Sequence, residues 1–504
     1  MSAALDLRWD NRYARELGEL CVPWRPAQVP APALLRFNHA LAHELGWPAD
    51  ALAGPQGADW FSGNQVLPGA EPAAQGYAGH QFGHYSPQLG DGRALLLGEV
   101  LDRHGRRRDI AFKGSGRTPF SRGGDGKAAL GPVLREYLMG EAMHALGIPT
   151  TRALAVAGTG EAVLRDAGPL PGAVLTRVAA SHIRVGTFQW VAARGDIDAL
   201  RRLADHTIAR HDPALIGQDR PYLGLLAAVA QRQATLVARW MGVGFIHGVM
   251  NTDNMALSGE TIDYGPCAFM DGYDPATVFS SIDRGGRYAY RNQPHIARWN
   301  LARLAEALLP LIATDPDKED AVQAAVDEVS AVIDAFPDMY QTAWLAVMRA
   351  KLGLAGEAEG DATVAQDWLD LLAEPGADLC LSFRRLADLA ADPSGAASPA
   401  ARLGLPETPA WADWWARWSG RTGVAHGPQP ALAEALRRAN PRFIPRNLWV
   451  EEALEAATER GDLAPFDRLL AVLQHPFDEQ PEASAYAEPP PAARMVGYRT
   501  FCGT

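Results

Sequence analysis

The chain has 504 residues, of which 47% are hydrophobic and 21% are charged, and its formal net charge is −12. This composition is typical of a globular protein with a large core, and the length predicts two to four domains or one domain with additions. The acidic balance argues against nucleic-acid binding, which needs a basic face, although it is compatible with a local basic pocket.

The N-terminal residues and the cysteines predict a cytoplasmic protein. Charges occur early in residues 1–20 and no apolar core follows them, so we expect no secretory signal. No apolar run approaches the length of a transmembrane helix, so we expect no membrane partner. The four cysteines, at positions 21, 267, 380 and 502, are too far apart for a zinc site or a disulfide framework. We therefore expect mostly reduced thiols.

The first half of the chain changes from a mixed pattern to strands. Residues 1–75 combine a short helical pattern at 32–46 with connections rich in proline and glycine. Short apolar runs then predict two strand pairs, one formed by 93–102 with 107–114 and another formed by 153–166 with 172–181. Between these pairs, residues 126–147 have apolar residues near helical spacing and end at a glycine, which predicts one helix.

From about residue 196 onward the pattern is mostly helical. Residues 223–244 predict a strong helix, and 301–350, 364–392 and 430–475 also have helical spacing. Four tryptophans lie on one predicted helix face, which indicates a core position: Trp411, Trp414, Trp415 and Trp418. A proline-rich stretch at 487–494 predicts an extended linker.

The order of these elements predicts a small strand-rich lobe with one helix, then a large helical lobe, then a helical extension. The predicted boundaries are an N-terminal segment over 1–75, the strand-rich lobe over 76–178, the helical lobe over 179–350, the extension over 351–486 and a flexible tail over 487–504 that carries Cys502.

The segment from His247 to Asp263 resembles two protein-kinase motifs, H-R-D-L-x-x-x-N and D-F-G. His247, Asn254 and Asp263 match these motifs, whereas Val249 stands where a kinase has its catalytic aspartate. The pattern therefore keeps the metal ligands of a phosphoryl-transfer site and lacks its base.

Lys113 ends a strand-like run, as does the kinase lysine that reaches the nucleotide phosphates and is held by a glutamate on the next helix. Glu136 on the next predicted helix is the candidate partner, and Glu141 is the alternative. Each residue alone is a weak signal, but their order along the chain, ahead of Asn254 and Asp263, strengthens the set.

Asn254 and Asp263 are candidate ligands for Mg²⁺ or Mn²⁺. They are nine residues apart, and both offer oxygen donors that can hold such a cation between phosphates. An ordinary Asx turn followed by a glycine turn is the alternative. The position of His247, seven residues before Asn254, favours the metal interpretation.

Two glycine-rich loops are candidate phosphate cradles. Residues 90–93 read Gly-Asp-Gly-Arg ahead of a strand, which is a weak signal because a hairpin turn has the same composition. Residues 114–131 place two glycine clusters with Arg117, Arg122 and Lys127 just before the predicted helix. This arrangement suits an anion, but it is equally compatible with a solvated loop.

Long sequence blocks resemble the selenoprotein O family, also called YdiU. They are YAGHQFG, QLGDGRA, the block from FKGSGRTPF to GIPTTRAL, HGVMNTDNM and DYGPCAFMD. The similarity continues through NPRFIPRN to the C-terminal FCGT, so it covers nearly the whole chain. The resemblance implies an α+β fold of the bilobal protein-kinase type, with an N-terminal segment and a helical C-terminal extension.

The resemblance also implies an activity, that of a pseudokinase that is a protein adenylyltransferase. Such a protein transfers AMP from ATP to Ser, Thr or Tyr hydroxyls of proteins, and UMP transfer from UTP with Mn²⁺ is also attributed to the family. The nucleotide binds inverted relative to kinases. The implied nucleotide contacts are Gly90, Gly92, Arg93, Lys113, Asp125, Gly126, Arg177, Arg184 and Asp263.

The remaining roles follow from the same resemblance: Asn254 and Asp263 as metal ligands, Asp253 as proton acceptor and Glu136 as partner of Lys113. If ATP is inverted, the α-phosphorus faces the acceptor, so an aspartate at position 249 is not needed. Metal and lysine are still needed, because nucleotidyl transfer also develops negative charge on phosphate oxygens.

The cysteines depart from the family pattern. Relatives often carry an activation-loop cysteine that pairs with the C-terminal one, whereas this chain has Ser280 and Ser281 there and its nearest cysteine is Cys267. A bridge between Cys267 and Cys502 therefore stays an open alternative, and Cys502 is a candidate redox residue.

Two other functions stay open at this stage. One is a kinase that transfers the γ-phosphoryl group and uses Asp253 in place of the missing base. The other is an ATP-binding scaffold without turnover, which the valine at position 249 favours.

Overall fold

The computed structural model describes residues 5–166 and 168–501 and combines one large sheet with many helices, so the fold is of mixed α and β type. The strands are β1 (Cys21–Pro23), β2 (Ala33–Phe37), β3 (Ala73–Gln75), β4 (Gly79–Gln81), β5 (His84–Ser86), β6 (Ala94–Leu101), β7 (Arg107–Lys113), β8 (Ala128–Ala129), β9 (Arg152–Arg165), β10 (Gly168–Ala179), β11 (Phe245–Ile246) and β12 (Ala268–Phe269).

The large sheet has the order β1-β3-β6-β7-β10-β9-β2, and β8 pairs with β10. Both predicted strand pairs are confirmed as antiparallel pairs, β6 with β7 and β9 with β10. Most of β6 and the second half of β10 are buried at consecutive positions, so both faces of the sheet are covered there. In the register of β7 and β10, Lys113 lies opposite Leu175 and Arg177 lies opposite Ala111. Lys113 and Arg177 therefore project from the same face of the sheet.

The helical prediction for 32–46 is only half right. Residues Ala33–Phe37 form β2, which pairs with β9, and the helix is confined to His39–Leu45. Five residues, four of them apolar, are too few for periodicity to separate a strand from a helix, and pairing with β9 decides the outcome. With β1 and β3, this strand brings three strands from the first 75 residues into the sheet.

The helices of the first half are α1 (Arg12–Glu16), α2 (His39–Leu45), α3 (Ala49–Leu52), α4 (Gly57–Ser62), α5 (Leu130–Ala145), α6 (Val185–Ala192), α7 (Ile197–His211) and α8 (Pro221–Val243). The later helices are α9 (Gln293–Ile312), α10 (Glu319–Leu352), α11 (Asp361–Ala373), α12 (Leu379–Ala391), α13 (Pro399–Leu403), α14 (Pro409–Thr422), α15 (Pro430–Ala439), α16 (Asn447–Arg460), α17 (Ala464–Leu473), α18 (Ser484–Ala487) and α19 (Ala492–Met495).

Helix α5 is the predicted helix of the strand-rich region. It begins later than its pattern suggests because the preceding residues, 128 and 129, pair with β10 as β8. It packs between the sheet on one side and α16 and α17 on the other, so it is buried on nearly every face. This position explains how Glu136 on α5 is held beneath the sheet and close to the end of β7.

Most helical predictions are confirmed, with breaks that the pattern did not show. Helix α8 ends at Gly244, whose φ of +72° suits glycine, and β11 then leads to the kinase-like segment. The predicted segment 364–392 is broken into α11 and α12, and 430–475 contains α15, α16 and α17. On α14 the side chains of Trp414 and Trp418 are fully buried, which confirms the tryptophan face as core.

The chain end is less extended than predicted. Two short helices, α18 and α19, occupy half of the stretch expected to be a linker, and only residues 488–491 between them are without helix. Within the described ranges no helix combines the length and the apolarity that crossing a lipid bilayer requires.

Candidate active site

Three cationic side chains surround one carboxylate, that of Asp263. The Lys113 ammonium lies 3.0 Å from Asp263 Oδ1, and Arg177 donates to the same oxygen at 2.8 Å. Arg184 Nη1 lies 3.9 Å from Oδ2. Both arginine side chains are almost fully buried. Two of these cations also contact Glu136, so the group holds three positive charges against two carboxylates.

The backbone explains why these side chains converge. Lys113 and Arg177 share a sheet face, and Arg184 bridges to Ala256 in the segment just before Asp263. Asp263 itself has φ +64°, a left-handed conformation that is rare outside glycine. Such strained residues concentrate at functional sites, because the surrounding structure must over-determine them.

Lys113 is also paired with Glu136. The ammonium lies 2.5 Å from Glu136 Oε2, and Arg177 lies 3.2 Å from Oε1 of the same carboxylate. Glu141, the alternative partner, instead accepts two hydrogen bonds from Arg152, each of 2.7 Å. Glu136 therefore occupies the position beside the lysine, and Glu141 belongs to a separate ion pair.

Burial alone would raise the pKa of Asp263, but the charges of Lys113, Arg177 and Arg184 outweigh it and hold the pKa well below its usual range. The carboxylate is thus ionised throughout the physiological range and can bind a cation.

A second aspartate, Asp253, has the opposite environment. It lies in a short 3₁₀ turn over Thr252–Asn254 and is only 8% exposed. One oxygen, Oδ2, accepts a 3.4 Å hydrogen bond from Gln81, and Oδ1 is buried without a hydrogen-bond partner among the described residues. Burial raises the pKa of Asp253 to about 6, against the opposing charge of Arg184.

Two glycines allow the backbone to close over Asp253. A β-carbon at Gly79 would lie 2.5 Å from Asp253 Oδ1, and one at Gly186 would lie 3.4 Å from the Asp253 Cα. Any larger residue at Gly79 would therefore collide with the carboxylate, which explains why the hairpin of β4 and β5 can lie directly against the turn.

The remaining members of the kinase-like motif have structural contacts. His247 is buried, and its Nε2 donates to the carbonyl oxygen of Ile262 at 3.0 Å, which ties the motif to the residue before Asp263. Val249 is buried and its carbonyl oxygen accepts from Asn254 Nδ2 at 2.9 Å. That bond orients the Asn254 amide, since its Nδ2 donates to the backbone and its Oδ1 remains an acceptor.

The oxygen donors of Asn254 and Asp263 fit Mg²⁺ or Mn²⁺, which prefer hard oxygen ligands. The described residues contain no group of three or more His, Cys, Asp or Glu side chains arranged to hold a metal. Two protein ligands alone make an incomplete shell. Such a pair suits a cation that is also held by phosphate oxygens and water.

A cavity of about 490 Å³ adjoins the cationic group, which is the size of an ordinary small-molecule site. Arg93, Lys113 and Glu136 line one side of it, and residues of α16 and the chain end line the other. Gly90 and Gly92 form the turn before Arg93 and pack against Phe120, where a β-carbon at Gly90 would lie 2.4 Å from the ring. The turn thus needs its glycines for packing.

Asp125 and Gly126 lie apart from the Lys113 group. Asp125 is paired with Arg165 at 2.9 Å and its side chain is 41% exposed. Gly126 has φ +67°, and its carbonyl oxygen accepts from Gly116 at 3.0 Å, so it closes the base of the loop. The structure does not bring these two residues into contact with the aspartates.

Sequence reasoning missed a buried chain behind Arg177. Arg177 Nε donates to His182 Nε2 at 3.2 Å, and His182 Nδ1 donates to Asp109 Oδ2 at 2.9 Å. Because an arginine can only donate, His182 must accept at Nε2 and carry its proton on Nδ1. Burial lowers the pKa of His182 to about 4, so it stays neutral and holds the guanidinium in place. Asp109 is in turn held by Arg210 at 2.6 Å.

A second missed group is the hairpin over Asp253. The backbone N–H of His80 donates to Thr252 at 2.6 Å, and that of Phe82 donates to Asn251 at 3.1 Å. The YAGHQFG block supplied the only signal for this hairpin, and it carried no role by itself.

The chain end reaches the segment that follows Asp263. Thr500 exchanges backbone hydrogen bonds of 2.9 Å with Phe279 and Ser281, and its hydroxyl donates to the carbonyl of Pro266 at 2.6 Å. Cys502 lies outside the described residues, so its pairing with Cys267 and its redox role stay predictions.

Comparison with known proteins gives one family over most of the chain. Residues 3–474 match the family model described as protein adenylyltransferase SelO. A protein nucleotidyltransferase YdiU from Cereibacter sphaeroides is 60% identical over 500 residues, which are 99% of this chain and 100% of the relative. Proteins of the same name from Rhizobium etli and Methylorubrum extorquens are 58% and 57% identical, covering 98% of this chain and 97% and 99% of the relatives.

Proposed function

The chain belongs to the protein adenylyltransferase SelO family and is a nucleotidyltransferase, and from that premise we propose that it transfers AMP from ATP to Ser, Thr or Tyr hydroxyls of proteins. The observation that carries the proposal is the pair of aspartates with opposite environments, Asp263 among three cations and Asp253 almost without partners. UMP transfer from UTP would be the same reaction with a different nucleotide. The kinase-like bilobal fold implied by the family is part of the proposal.

In the proposed reaction the acceptor hydroxyl oxygen attacks the α-phosphorus. A new oxygen–phosphorus bond forms, the bond from the α-phosphorus to the bridging oxygen of the β-phosphate breaks, and pyrophosphate leaves. Asp253 accepts the hydroxyl proton. Burial, which raises the pKa of Asp253 to about 6, supports this role, because a general base works best when its pKa lies near the working pH.

The nucleotide is proposed to bind with its triphosphate tail toward Arg177 and Arg184. Both guanidiniums are buried, and buried guanidinium groups bind phosphate oxygens through paired hydrogen bonds. This orientation places the leaving pyrophosphate in the cationic pocket and the α-phosphorus toward Asp253. An aspartate at position 249 would then lie beside no reacting atom and would not act as the base.

Asn254 and Asp263 are proposed to hold Mg²⁺ or Mn²⁺, which would neutralise charge developing on the phosphate oxygens. In the structure Lys113 and Arg177 occupy Asp263 Oδ1. We expect both side chains to turn from this oxygen to the phosphates when nucleotide and cation bind.

The cavity beside Lys113 and Arg93 is the proposed place for the nucleoside part. We propose that Gly90, Gly92, Asp125 and Gly126 contribute through the two loops that flank it. The cytoplasmic location expected from the sequence stays a prediction.

The experiment that tests this function compares ATP labelled at the α-phosphate with ATP labelled at the γ-phosphate. The purified protein is incubated with each, in the presence of Mg²⁺ or Mn²⁺ and a cell lysate, and protein-bound label is counted. We expect label from the α position only.

Each other outcome identifies a different function. Label retained only from the γ position would identify a kinase and overturn the proposal. ATP binding without label from either position would identify a scaffold without turnover.

A further inference from the structure

A basic segment that approaches the hairpin over Asp253 through Arg287 has no role in the chemistry described so far. The 20 residues from 284 to 303 contain five arginines and one histidine and no aspartate or glutamate, in a chain whose net charge is −12. Two of the arginines, Arg298 and Arg303, pair with acidic side chains at 2.6 and 2.7 Å. The other three, Arg284, Arg287 and Arg291, constitute the basic strip.

The strip lacks internal partners. Among the described residues no carboxylate lies within 4.0 Å of these three guanidiniums, since the recorded ion pairs of this region involve other arginines. Arg284 and Arg291 are exposed and Arg287 is half-buried. Because the protein is acidic as a whole, most of its surface repels an acidic partner. Unpaired guanidiniums attract such a partner to the strip.

Arg287 links the strip to the catalytic turn. Its guanidinium carbon lies 4.8 Å from the centre of the Trp299 ring, and its Nε is buried without a hydrogen-bond partner in the described structure. A β-carbon at Gly83, in the tip of the hairpin of β4 and β5, would lie 3.8 Å from that same carbon. Gln81, the last residue of β4 before this tip, donates a hydrogen bond of 3.4 Å to Asp253.

The hairpin tip is itself strained in a way typical of binding sites. Phe82 has φ +52°, which is unfavourable for an aromatic residue, and hydrogen bonds from its N–H to Asn251 and to the Tyr288 hydroxyl hold it there. Tyr288 follows Arg287 in the chain, and its hydroxyl also donates to Asn251 at 2.6 Å, so direct contacts link the strip to the hairpin and to the residues just before Asp253.

We propose that the basic strip binds an acidic stretch of the protein substrate, next to the hydroxyl that receives AMP. Paired hydrogen bonds between guanidinium groups and carboxylates give such a stretch both affinity and orientation. The hairpin then sets the distance between the acidic residues and the hydroxyl. This inference rests on the proposed function, because it names the class of protein acceptor.

The test maps AMP acceptor sites in a lysate by mass spectrometry, for the wild type and for Arg284→Glu/Arg287→Glu/Arg291→Glu. The control Arg103→Glu/Arg201→Glu/Arg438→Glu makes the same charge change at arginines elsewhere in the chain. We expect acidic residues to be enriched around wild-type and control sites. The strip variant should lose that enrichment and modify acidic-flanked sites about tenfold less.

ATP-induced thermal stabilisation, measured for all three proteins, shows that the strip variant is folded and binds nucleotide. AMP sites whose neighbours are no more acidic than average would overturn this inference alone, as would enrichment that survives in the strip variant. Absence of any AMP on lysate proteins would overturn the proposed function and this inference with it.

Discussion

Asp253 and Asp263 are ten residues apart in the chain, yet they have opposite electrostatic environments. Asp263 contacts Lys113 and Arg177 directly, and its pKa is held well below the usual range. Asp253 has one buried oxygen that none of the described residues contacts by a hydrogen bond, and burial raises its pKa to about 6. Two carboxylates whose environments separate their pKa values in this way are suited to different tasks. This difference supports the roles proposed above, cation binding for Asp263 and proton transfer for Asp253.

The largest effect is expected at Asp263. Replacing it with Ala should abolish transfer, a loss on the order of 10³-fold or more, because the cation loses its carboxylate ligand. Protein-bound α-label measures the loss. Val249→Ala, described below, is the matched control for a change within the same motif. Normal transfer by the Asp263→Ala variant would show that Asp263 has no role in catalysis.

A smaller but still severe effect is expected for Asp253→Asn. The amide keeps the shape of the side chain but cannot accept the hydroxyl proton, so transfer should fall about 10²- to 10³-fold. Nucleotide binding, measured by calorimetry, should change little, since Asp253 is not expected to hold phosphate. A large loss of ATP affinity with unchanged turnover would reverse the roles of the two aspartates.

Substitution of His182, the buried histidine that accepts a hydrogen bond from Arg177, should have an intermediate effect. This effect should concern ATP binding near Asp263 and not proton transfer at Asp253. His182→Phe removes both of its hydrogen bonds, and the KM for ATP should rise about tenfold, as expected for loss of a hydrogen bond to a charged group. His182→Gln can restore an acceptor for Arg177 and a donor for Asp109.

Steady-state kinetics of both His182 variants separates positioning from folding. A positioning role predicts that Gln recovers most of the KM whereas Phe does not, with kcat changed less than KM. Equal damage by both substitutions, or an effect confined to kcat, would count against it.

The smallest effect is expected at Val249, where a kinase would carry its base. Val249→Ala should keep transfer within about threefold, because with ATP inverted no reacting atom lies there. Loss of the buried methyl groups should lower the free energy of unfolding by about 1–3 kcal/mol. An inactive but folded Val249→Ala protein would contradict the inverted orientation.

The two halves of the site also differ in how far the sequence predicts them. Lys113, Glu136 and Asp263 each stand at a fixed place relative to a strand, a helix or a glycine turn, so their order along the chain indicated a common site. Arg177 and Arg184 have no such local signal, and only the family resemblance selects them.

The contacts around Asp253 and behind Arg177 could not be predicted from local patterns. Gln81 and Asp253 are 172 residues apart, and His182 and Asp109 are 73 residues apart. Pairings over such distances depend on the sheet register and on how the hairpin packs against the turn. The helical prediction for the residues of β2 was wrong for the same reason, because pairing with the distant strand β9 makes them a strand.

A structure of the protein with Mg²⁺ and a non-hydrolysable ATP analogue tests the central claim most directly. We expect the terminal phosphate to contact Arg177 and Arg184, and the α-phosphorus to be the phosphorus nearest to Asp253. A terminal phosphate beside Asp253 and the hairpin, with the α-phosphate toward the arginines, would contradict it.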